Sequence, residues 1–230
     1  MEFREKALII DCLGEALPAV FHPGAVDATE GVVIVVGGPQ YRIGSHRQFV
    51  RIARRLANVG VPVLRFDYRG MGDASGRDTR FDETSSDIGA AIQLFFETLP
   101  GLENVSLFGL CDAASACMIY APSDERVSRL ILMNPWVRGA GSAKSAVSRK
   151  VRHYYLPRLF SRDFWRRLRR KQVSITSVFD DLGQLTKSVA HDSQAENYPQ
   201  FVREMCVGLT RFSGAVLFVL SALDLTAREF

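Results

Sequence analysis

The sequence predicts an α/β protein in which helices cover both faces of a mostly parallel sheet. Residues 31–36, 61–66 and 105–108 are mostly apolar runs, interrupted only by Arg65 and Ser106, which is typical of strands that are buried on both faces. Residues 45–60 and 86–99 lie between these runs and repeat their apolar side chains every three or four positions, as helices do. The 230 residues are 47% hydrophobic and 23% charged, which suits one large α/β domain or two small ones.

The elements follow one another in the alternation that an α/β fold requires. Before the first buried strand, two strands surround a turn at Gly14 and predict an N-terminal hairpin. Gly60 ends the first helix. The predicted elements are strands at 6–12, 16–22 and 31–36, a helix at 45–60, a strand at 61–66, a helix at 86–99, a strand at 105–108, a helix at 112–120, and strands at 130–133 and 215–220.

The alternation of strands and helices stops after Trp136. Residues 137–210 are first basic and then polar, and we therefore predict a helical lid inserted at 137–210 into a core formed by residues 1–136 and 211–230. The net charge of +4 divides unevenly, because residues 137–171 contain twelve Lys or Arg and one acid, or +11, which leaves −7 on the remainder. A local basic patch of this kind indicates an anionic partner.

A short segment of small residues, GLCDAA at 109–114, marks the strongest candidate site. It follows the strand at 105–108 and opens the helix at 112–120, so that Cys111 falls on a strand-to-helix turn. A nucleophile on such a strained turn requires small flanking residues, because the strand and the helix pass close together there. We therefore predict that Cys111 is a nucleophile and that the helix N-terminus favours its reactive thiolate form.

The same segment allows other interpretations. Cys111 could be a small buried side chain, as thiol cysteines often are. If Asp112 were the nucleophile, Leu110 would occupy a position that requires a small residue. Ser115 lies one turn into the helix and fits no better. The spacing therefore favours Cys111 over both neighbours.

The loops after the strands at 31–36 and 105–108 supply candidate donors for an oxyanion hole. Parallel strands end at one edge of an open α/β sheet, and ligands bind there. One donor is expected to be the backbone N–H of Asp112, and the second to come from Gly38 or Gln40, because Pro39 has no N–H. Such a donor typically lowers the barrier by about 3 kcal/mol. An ordinary turn at the strand end is the alternative.

These loops, in this order, resemble the α/β-hydrolase fold. Residues 65–75, RFDYRGMGDAS, are similar to the Asp-x-Arg-Gly-x-Gly-x-Ser loop after the fourth strand of that fold, where Asp67, Arg69 and Asp73 are expected to brace the loop. Four further segments resemble the bacterial exosortase A system-associated hydrolase 1 family. They are GGPQYRIGSHRQF at 37–49, GLCDAAS at 109–115, NPWVR at 134–138 and LDLTAREF at 223–230. The resemblance implies a hydrolase encoded with exopolysaccharide and exosortase functions, with Asp224 as its triad acid.

The resemblance also implies a histidine, since nucleophile, acid and histidine follow in that order in α/β-hydrolases. The chain stops six residues after Asp224, so we interpret it as truncated before that histidine, and the alternative is a protein without this base. His46 follows the predicted oxyanion loop and is a candidate substitute. The histidines that precede Asp224 are His22, His46, His153 and His191.

The predicted lid contains a basic amphipathic helix. Leu156, Phe160, Phe164 and Leu168 recur at every fourth position of a basic stretch. This helix could pack on the core, lie on an anionic membrane surface or steer an anionic substrate. Nucleic acid is not an expected partner, because one basic helix without a known motif is weak support. The arginines expected to contact an anion are Arg158, Arg162, Arg166, Arg167 and Arg170.

These patterns predict a cysteine-dependent hydrolase of esters, thioesters or lactones, and an acyl group on a saccharide or a lipid-linked precursor fits the implied context. The alternatives are an acyltransferase that uses the same site and a non-catalytic hydrolase-like scaffold. No cofactor or metal is expected. The sequence has no signal peptide, no run of about 18 apolar residues and no CxxC spacing among its four cysteines. A cytoplasmic location is therefore predicted, either free or peripheral at the inner membrane.

Overall fold

The computed structural model describes residues 5–37, 41–137 and 200–224, together with Arg228 and Phe230. Its strands are β1 (Lys6–Cys12), β2 (Glu15–His22), β3 (Glu30–Val35), β4 (Val63–Phe66), β5 (Asn104–Leu110), β6 (Val127–Met133) and β7 (Ala215–Val219). Its α-helices are α1 (Gln48–Asn58), α2 (Ser85–Thr98), α3 (Asp112–Tyr120) and α4 (Gln200–Arg211). Short 3-10 helices lie at Ser45–Arg47, Phe81–Glu83 and Ala121–Ser123.

The described strands form one mixed sheet in the order β1-β2-β4-β3-β5-β6-β7. The hairpin of β1 and β2 is antiparallel, and β2 also pairs antiparallel with β4. Strands β4, β3, β5, β6 and β7 all run parallel to one another. The predicted hairpin and parallel sheet are therefore confirmed. Because parallel strands end at the same edge of a sheet, the segments that follow these strands gather at that edge.

Helices cover both faces of the sheet, as the continuous apolar strands predict. Along β3, Val33 and Val35 face one apolar cluster while Val32 and Ile34 face the other, because successive side chains alternate across a strand. The larger cluster includes buried side chains of α2, α3 and α4, and the smaller one includes those of α1. The predicted fold class, a parallel sheet between two layers of helices, is confirmed.

Helix α4 belongs to the core, although its sequence led us to predict that it lies in the inserted lid. Residues 200–211 fall inside the predicted lid, yet Phe201, Val202 and Met205 are buried in the larger cluster together with side chains of α3. Most other positions of this helix are exposed or half-buried, so its sequence resembles the polar stretch before it. The core therefore resumes at residue 200 rather than at 211. Residues 138–199, with the lid arginines, lie outside the described residues.

The first helix begins three residues later than its sequence predicts. Residues 45–47 form a 3-10 turn in which His46 and Arg47 have φ angles of 52° and 61°. A right-handed helix cannot include such residues, because the left-handed region breaks its hydrogen-bond pattern. Helix α1 consequently starts at Gln48.

A buried polar pair lies beneath the hairpin. His22 on β2 is 2% exposed and Arg65 on β4 is 3% exposed, and the Arg65 Nε–H donates a hydrogen bond to His22 Nε2 over 2.9 Å. This bond requires an unprotonated Nε2. Burial, and then the charge of Arg65, lower the pKa of His22 to about 4. His22 is therefore neutral in the folded protein at neutral pH.

We expect the contribution of His22 to stability to fall by about 2.5 kcal/mol as the pH is lowered from 6.5 to 4, because protons bind His22 more readily in the unfolded chain. The pKa of His22 in the fold lies below its ordinary value, so its contribution is complete above that value and is lost as the pH falls. Urea unfolding at a series of pH values measures the effect. His22→Gln keeps a hydrogen-bond acceptor without the titration, and an unchanged pH dependence in that variant would refute the assignment.

Candidate active site at the carboxyl edge of the sheet

Cys111 forms a one-residue turn between β5 and α3. Its φ and ψ are 62° and −122°, which is a backbone conformation that glycine adopts more readily than other residues. Its N–H donates to the carbonyl oxygen of Met133 at 2.9 Å, and its own carbonyl oxygen accepts the N–H of Trp136 at 3.2 Å. The side chain is a half-buried thiol. Both backbone polar groups of Cys111, the N–H and the carbonyl oxygen, are therefore hydrogen-bonded to residues at or just after the end of β6.

The small residues around this turn are required by contact between the strand and the helix. A Cβ on Gly109 would lie 2.6 Å from backbone atoms of Ala113 and Ala114. Both alanines are buried. This geometry agrees with the steric reason given for the GLCDAA segment, and it places Cys111 at the turn itself rather than one position before or after it.

The end of β3 lies against the first turn of α3. A Cβ on Gly37 would lie 2.1 Å from Asp112 Oδ1 and 2.7 Å from the backbone nitrogen of Ala113. The segment that leaves β3 therefore starts beside the N-terminus of α3, where an oxyanion hole would need it. Gly38 and Gln40 lie outside the described residues, so the second oxyanion donor stays a prediction.

The neighbours of Cys111 make structural contacts. Asp112 Oδ1 accepts the backbone N–H of Ala113 at 3.0 Å, which helps to cap the helix. Ser115 is fully buried, donates to the carbonyl oxygen of Trp136 at 2.7 Å and accepts the N–H of the same residue at 2.9 Å. Ser115 thus fastens the segment after β6 to α3, and its hydroxyl is engaged in that contact.

Asp224, the predicted acid, follows β7 and is connected to the end of β6 by Asn134. The side-chain amide of Asn134 donates to Asp224 Oδ2 at 3.1 Å, and its Oδ1 accepts the N–H of Ser221 at 2.9 Å. The N–H of Asn134 also donates to the carbonyl oxygen of Val219 at 3.1 Å. The Cys111 turn follows β5 and the predicted acid follows β7, so they lie on either side of the end of β6. Asn134, at that end, was not among the predicted site residues.

The loop after β4 is braced by a buried carboxylate. Asp67 is fully buried, and it accepts the N–H of Arg42 at 2.6 Å and the N–H of Asp73 at 3.1 Å. The Arg42 guanidinium contacts both carboxylates, Asp67 at very short range and Asp73 at 2.7 Å. The Arg65 guanidinium donates to the Arg42 carbonyl oxygen at 2.5 Å. Arg42 follows the predicted oxyanion loop closely, so this network anchors the far end of that loop.

Arg69 has the bracing role that its sequence suggests. Its guanidinium and its backbone N–H donate to the buried Asp87 of α2 at 2.9 to 3.0 Å. The side-chain hydrogen bond to Asp87, and then the charge of Asp87, raise the pKa of Arg69 above its ordinary value. Arg69 is committed to this pair and is not positioned as an anion-binding group.

Two of the four histidines fall within the described residues. His22 is enclosed between Arg65 and Glu5, with its Nδ1 3.7 Å from Glu5 Oε1. This environment excludes it as a general base for Cys111. His46 is exposed on the 3-10 turn before α1. His153 and His191 lie outside the described residues.

Within the described ranges, no grouping of three or more His, Cys, Asp and Glu side chains could hold a metal ion. Across the same part of the chain, no helix is both long enough and apolar enough to cross a membrane.

Comparison with solved structures identifies the fold. An esterase of Pyrococcus furiosus is 12% identical with a TM-score of 0.63, and the alignment covers 95% of this chain and 70% of the esterase. The α/β hydrolase GrgF from a Penicillium species is 16% identical with a TM-score of 0.61, covering 97% and 82%. Est1E from Butyrivibrio proteoclasticus, solved with ferulic acid bound, is 21% identical with a TM-score of 0.50, covering 62% and 57%. The protein therefore has the α/β-hydrolase fold predicted from its loops.

No protein-family model matches the sequence, and no curated protein is significantly similar to it. The narrower resemblance to the exosortase-associated hydrolases therefore rests on the quoted segments alone.

Proposed function

We propose that this chain is an acyl hydrolase that acts on esters or thioesters and uses Cys111 as its nucleophile. The observation that carries the proposal is the conformation of Cys111 on the turn from β5 into α3, with φ at 62°. Strain of this kind costs roughly 1–3 kcal/mol and is found preferentially at functional sites. A purely structural thiol has no need of this position.

The first chemical step would be attack of the Cys111 thiolate on the acyl carbon. A C–S bond forms, and the electron pair of the carbonyl moves onto its oxygen. The N–H groups in the first turn of a helix have no acceptor within the helix, so the N–H of Asp112 at the start of α3 is suited to hold this oxyanion. Gly38 or Gln40 would supply a second N–H.

Collapse of the tetrahedral intermediate would break the bond to the leaving alkoxide or thiolate, which takes up the proton that Cys111 lost to the general base when its thiolate formed. Water would then attack the acyl-enzyme thioester, releasing a carboxylic acid and the Cys111 thiol. Asp224 is proposed to orient the general base for both steps. Its place after β7, beside Asn134 and the end of β6, supports this role.

The nucleophile favours activated acyl substrates. In the tetrahedral intermediate the Cys111 thiolate is a better leaving group than an alkoxide or an amine, so it is expelled more readily than they are and competes on equal terms only with another thiolate. Esters and thioesters are accordingly expected to react, and amides are not. We propose an acyl group on a saccharide or a lipid-linked precursor as the substrate in an exosortase and exopolysaccharide context, on the support of the quoted motifs.

A location at the inner membrane surface is proposed on the support of the charge of residues 137–171, which carry twelve basic residues and one acid. Flotation with anionic and with neutral vesicles at low salt tests it, and equal recovery with both would refute it.

Activity and thiol modification measured on the same sample test the proposed function. We expect hydrolysis of p-nitrophenyl esters and acyl thioesters but not of matched anilides, and we expect iodoacetamide to abolish it in proportion to alkylation of Cys111. Peptide mapping distinguishes Cys111 from the other three cysteines, of which only Cys206 is exposed. Hydrolysis that persists after complete alkylation of Cys111 would refute the proposal, whereas transfer of the acyl group to an added alcohol or sugar would indicate an acyltransferase.

A further inference from the structure

Asn134 occupies a position that few residues tolerate. It is 7% exposed, it directly follows β6, and its φ is 46°. Asparagine enters the left-handed region more readily than most residues do, because its short polar side chain can hydrogen-bond locally. The conformation alone would therefore allow glycine or aspartate at this position as well.

The side-chain hydrogen bonds of Asn134 restrict the residue type at this position more than its backbone conformation does. Its Oδ1 accepts the Ser221 N–H at 2.9 Å, and its Nδ2 donates to Asp224 Oδ2 at 3.1 Å. Of the two polar atoms of this amide, only the oxygen can accept from a backbone N–H and only the nitrogen can donate to a carboxylate, so these two partners fix the orientation of the amide. Glycine could make neither bond, and aspartate could make only the first.

Asn134 also connects Asp224 to the Cys111 turn. Its N–H donates to the Val219 carbonyl oxygen, which secures it to the end of β7. The residue before it, Met133, accepts the Cys111 N–H at 2.9 Å. A short path of hydrogen bonds thus runs from the Cys111 turn through the end of β6 to the carboxylate of Asp224.

We propose that Asn134 is the positioning residue for Asp224, holding Oδ2 of that carboxylate through its amide so that Oδ1 points to the general base. This inference rests on the proposed function, in which Asp224 orients that base. Asn134 does not touch the reacting atoms and acts through Asp224 alone. Misplacing a catalytic group by about 1 Å can cost about a hundredfold in rate, so a comparable effect on kcat is expected when this contact is lost.

The test is a double-mutant cycle with Asn134→Asp, which keeps the shape of the side chain and its bond to Ser221 but sets one carboxylate against another. We expect kcat for an activated ester to fall about a hundredfold at pH 8 with little change in KM, and the loss to shrink as the pH is lowered and the two carboxylates share a proton. In an Asp224→Asn background the same substitution should cost less than about threefold, because the group that it positions is already gone. The matched control is Asn104→Asp, at the start of β5 on the opposite edge of the sheet, and it should leave kcat unchanged.

A stability measurement checks the contact without relying on turnover. The melting temperature of Asn134→Asp should be about 5 °C lower at pH 8 than that of the native chain, and most of this loss should disappear in the double variant with Asp224→Asn. The inference would be overturned if Asn134→Asp lowered kcat by the same factor in the native chain and in the Asp224→Asn background. It would also be overturned if Asp224→Asn did not restore the melting temperature of Asn134→Asp. If Asp224→Asn alone leaves kcat unchanged, the role of Asp224 is wrong and this inference falls with it, while dependence on Cys111 would still support the proposed function.

Discussion

Replacement of Cys111 by alanine is expected to lower kcat/KM for ester and thioester hydrolysis by at least about a thousandfold. The thiolate supplies the new covalent bond in the proposed reaction, so its removal leaves only the weak catalysis that oxyanion donors and substrate binding provide without a nucleophile. Steady-state hydrolysis of a p-nitrophenyl ester measures the loss. Cys206→Ala is the matched control because Cys206 is the exposed thiol on α4, and it should keep full activity.

A second variant of the same residue separates lost chemistry from lost structure. Cys111→Gly should be as inactive as Cys111→Ala, but it should be about as stable as the native chain or more stable by about 1 kcal/mol. Glycine relieves the strain at φ 62°, which is worth roughly 1–3 kcal/mol, against a cost of about 0.5–1 kcal/mol for its greater freedom when unfolded. Full activity in either variant would exclude Cys111 as the nucleophile. A Cys111→Gly variant that fails to fold would contradict the strain argument.

Gly109→Ala is expected to lower the free energy of unfolding by about 3 kcal/mol, at the upper end of what overpacking costs. The added Cβ would lie 2.6 Å from backbone atoms at the start of α3, and β5 cannot move away without separating from β3 and β6 on its two sides. Urea unfolding measures the change. The matched control is Gly101→Ala, where the nearest atom to the added Cβ is 4.0 Å away, and it should shift stability by less than about 0.5 kcal/mol. Equal stability of the two variants would show that the strand and the helix are not in close contact at the elbow.

The sequence predicts the parts of this fold that depend on local pattern. Continuous apolar runs identify the parallel strands because each is buried on both faces, and the small residues of GLCDAA identify the turn because a Cβ at Gly109 has no space. Both signals arise within about ten residues of chain. They are therefore visible without any knowledge of the tertiary structure.

Other parts depend on contacts between distant residues and could not be predicted. Helix α4 buries a narrow stripe, formed by Phe201, Val202, Met205 and Gly208, while most of its other positions are exposed, so its sequence resembles that of an exposed segment. The role of Asn134 depends on Asp224, ninety residues further along the chain, and exists only because β7 pairs with β6. The NPWVR segment at 134–138 is recognisable in the sequence, but nothing in it indicates which residues Asn134 contacts.

The central claim is that an acyl group is transferred to Cys111 during turnover. Rapid acid quenching of the protein mixed with a p-nitrophenyl ester or an acyl thioester, followed by intact-mass measurement and peptide mapping, tests this claim directly. The account predicts one acyl group per chain on the peptide that contains Cys111, no such adduct in Cys111→Ala, and its accumulation in step with release of the first equivalent of leaving group. Turnover with the acyl group on another residue, or with no adduct on Cys111 at any quench time, would contradict the account.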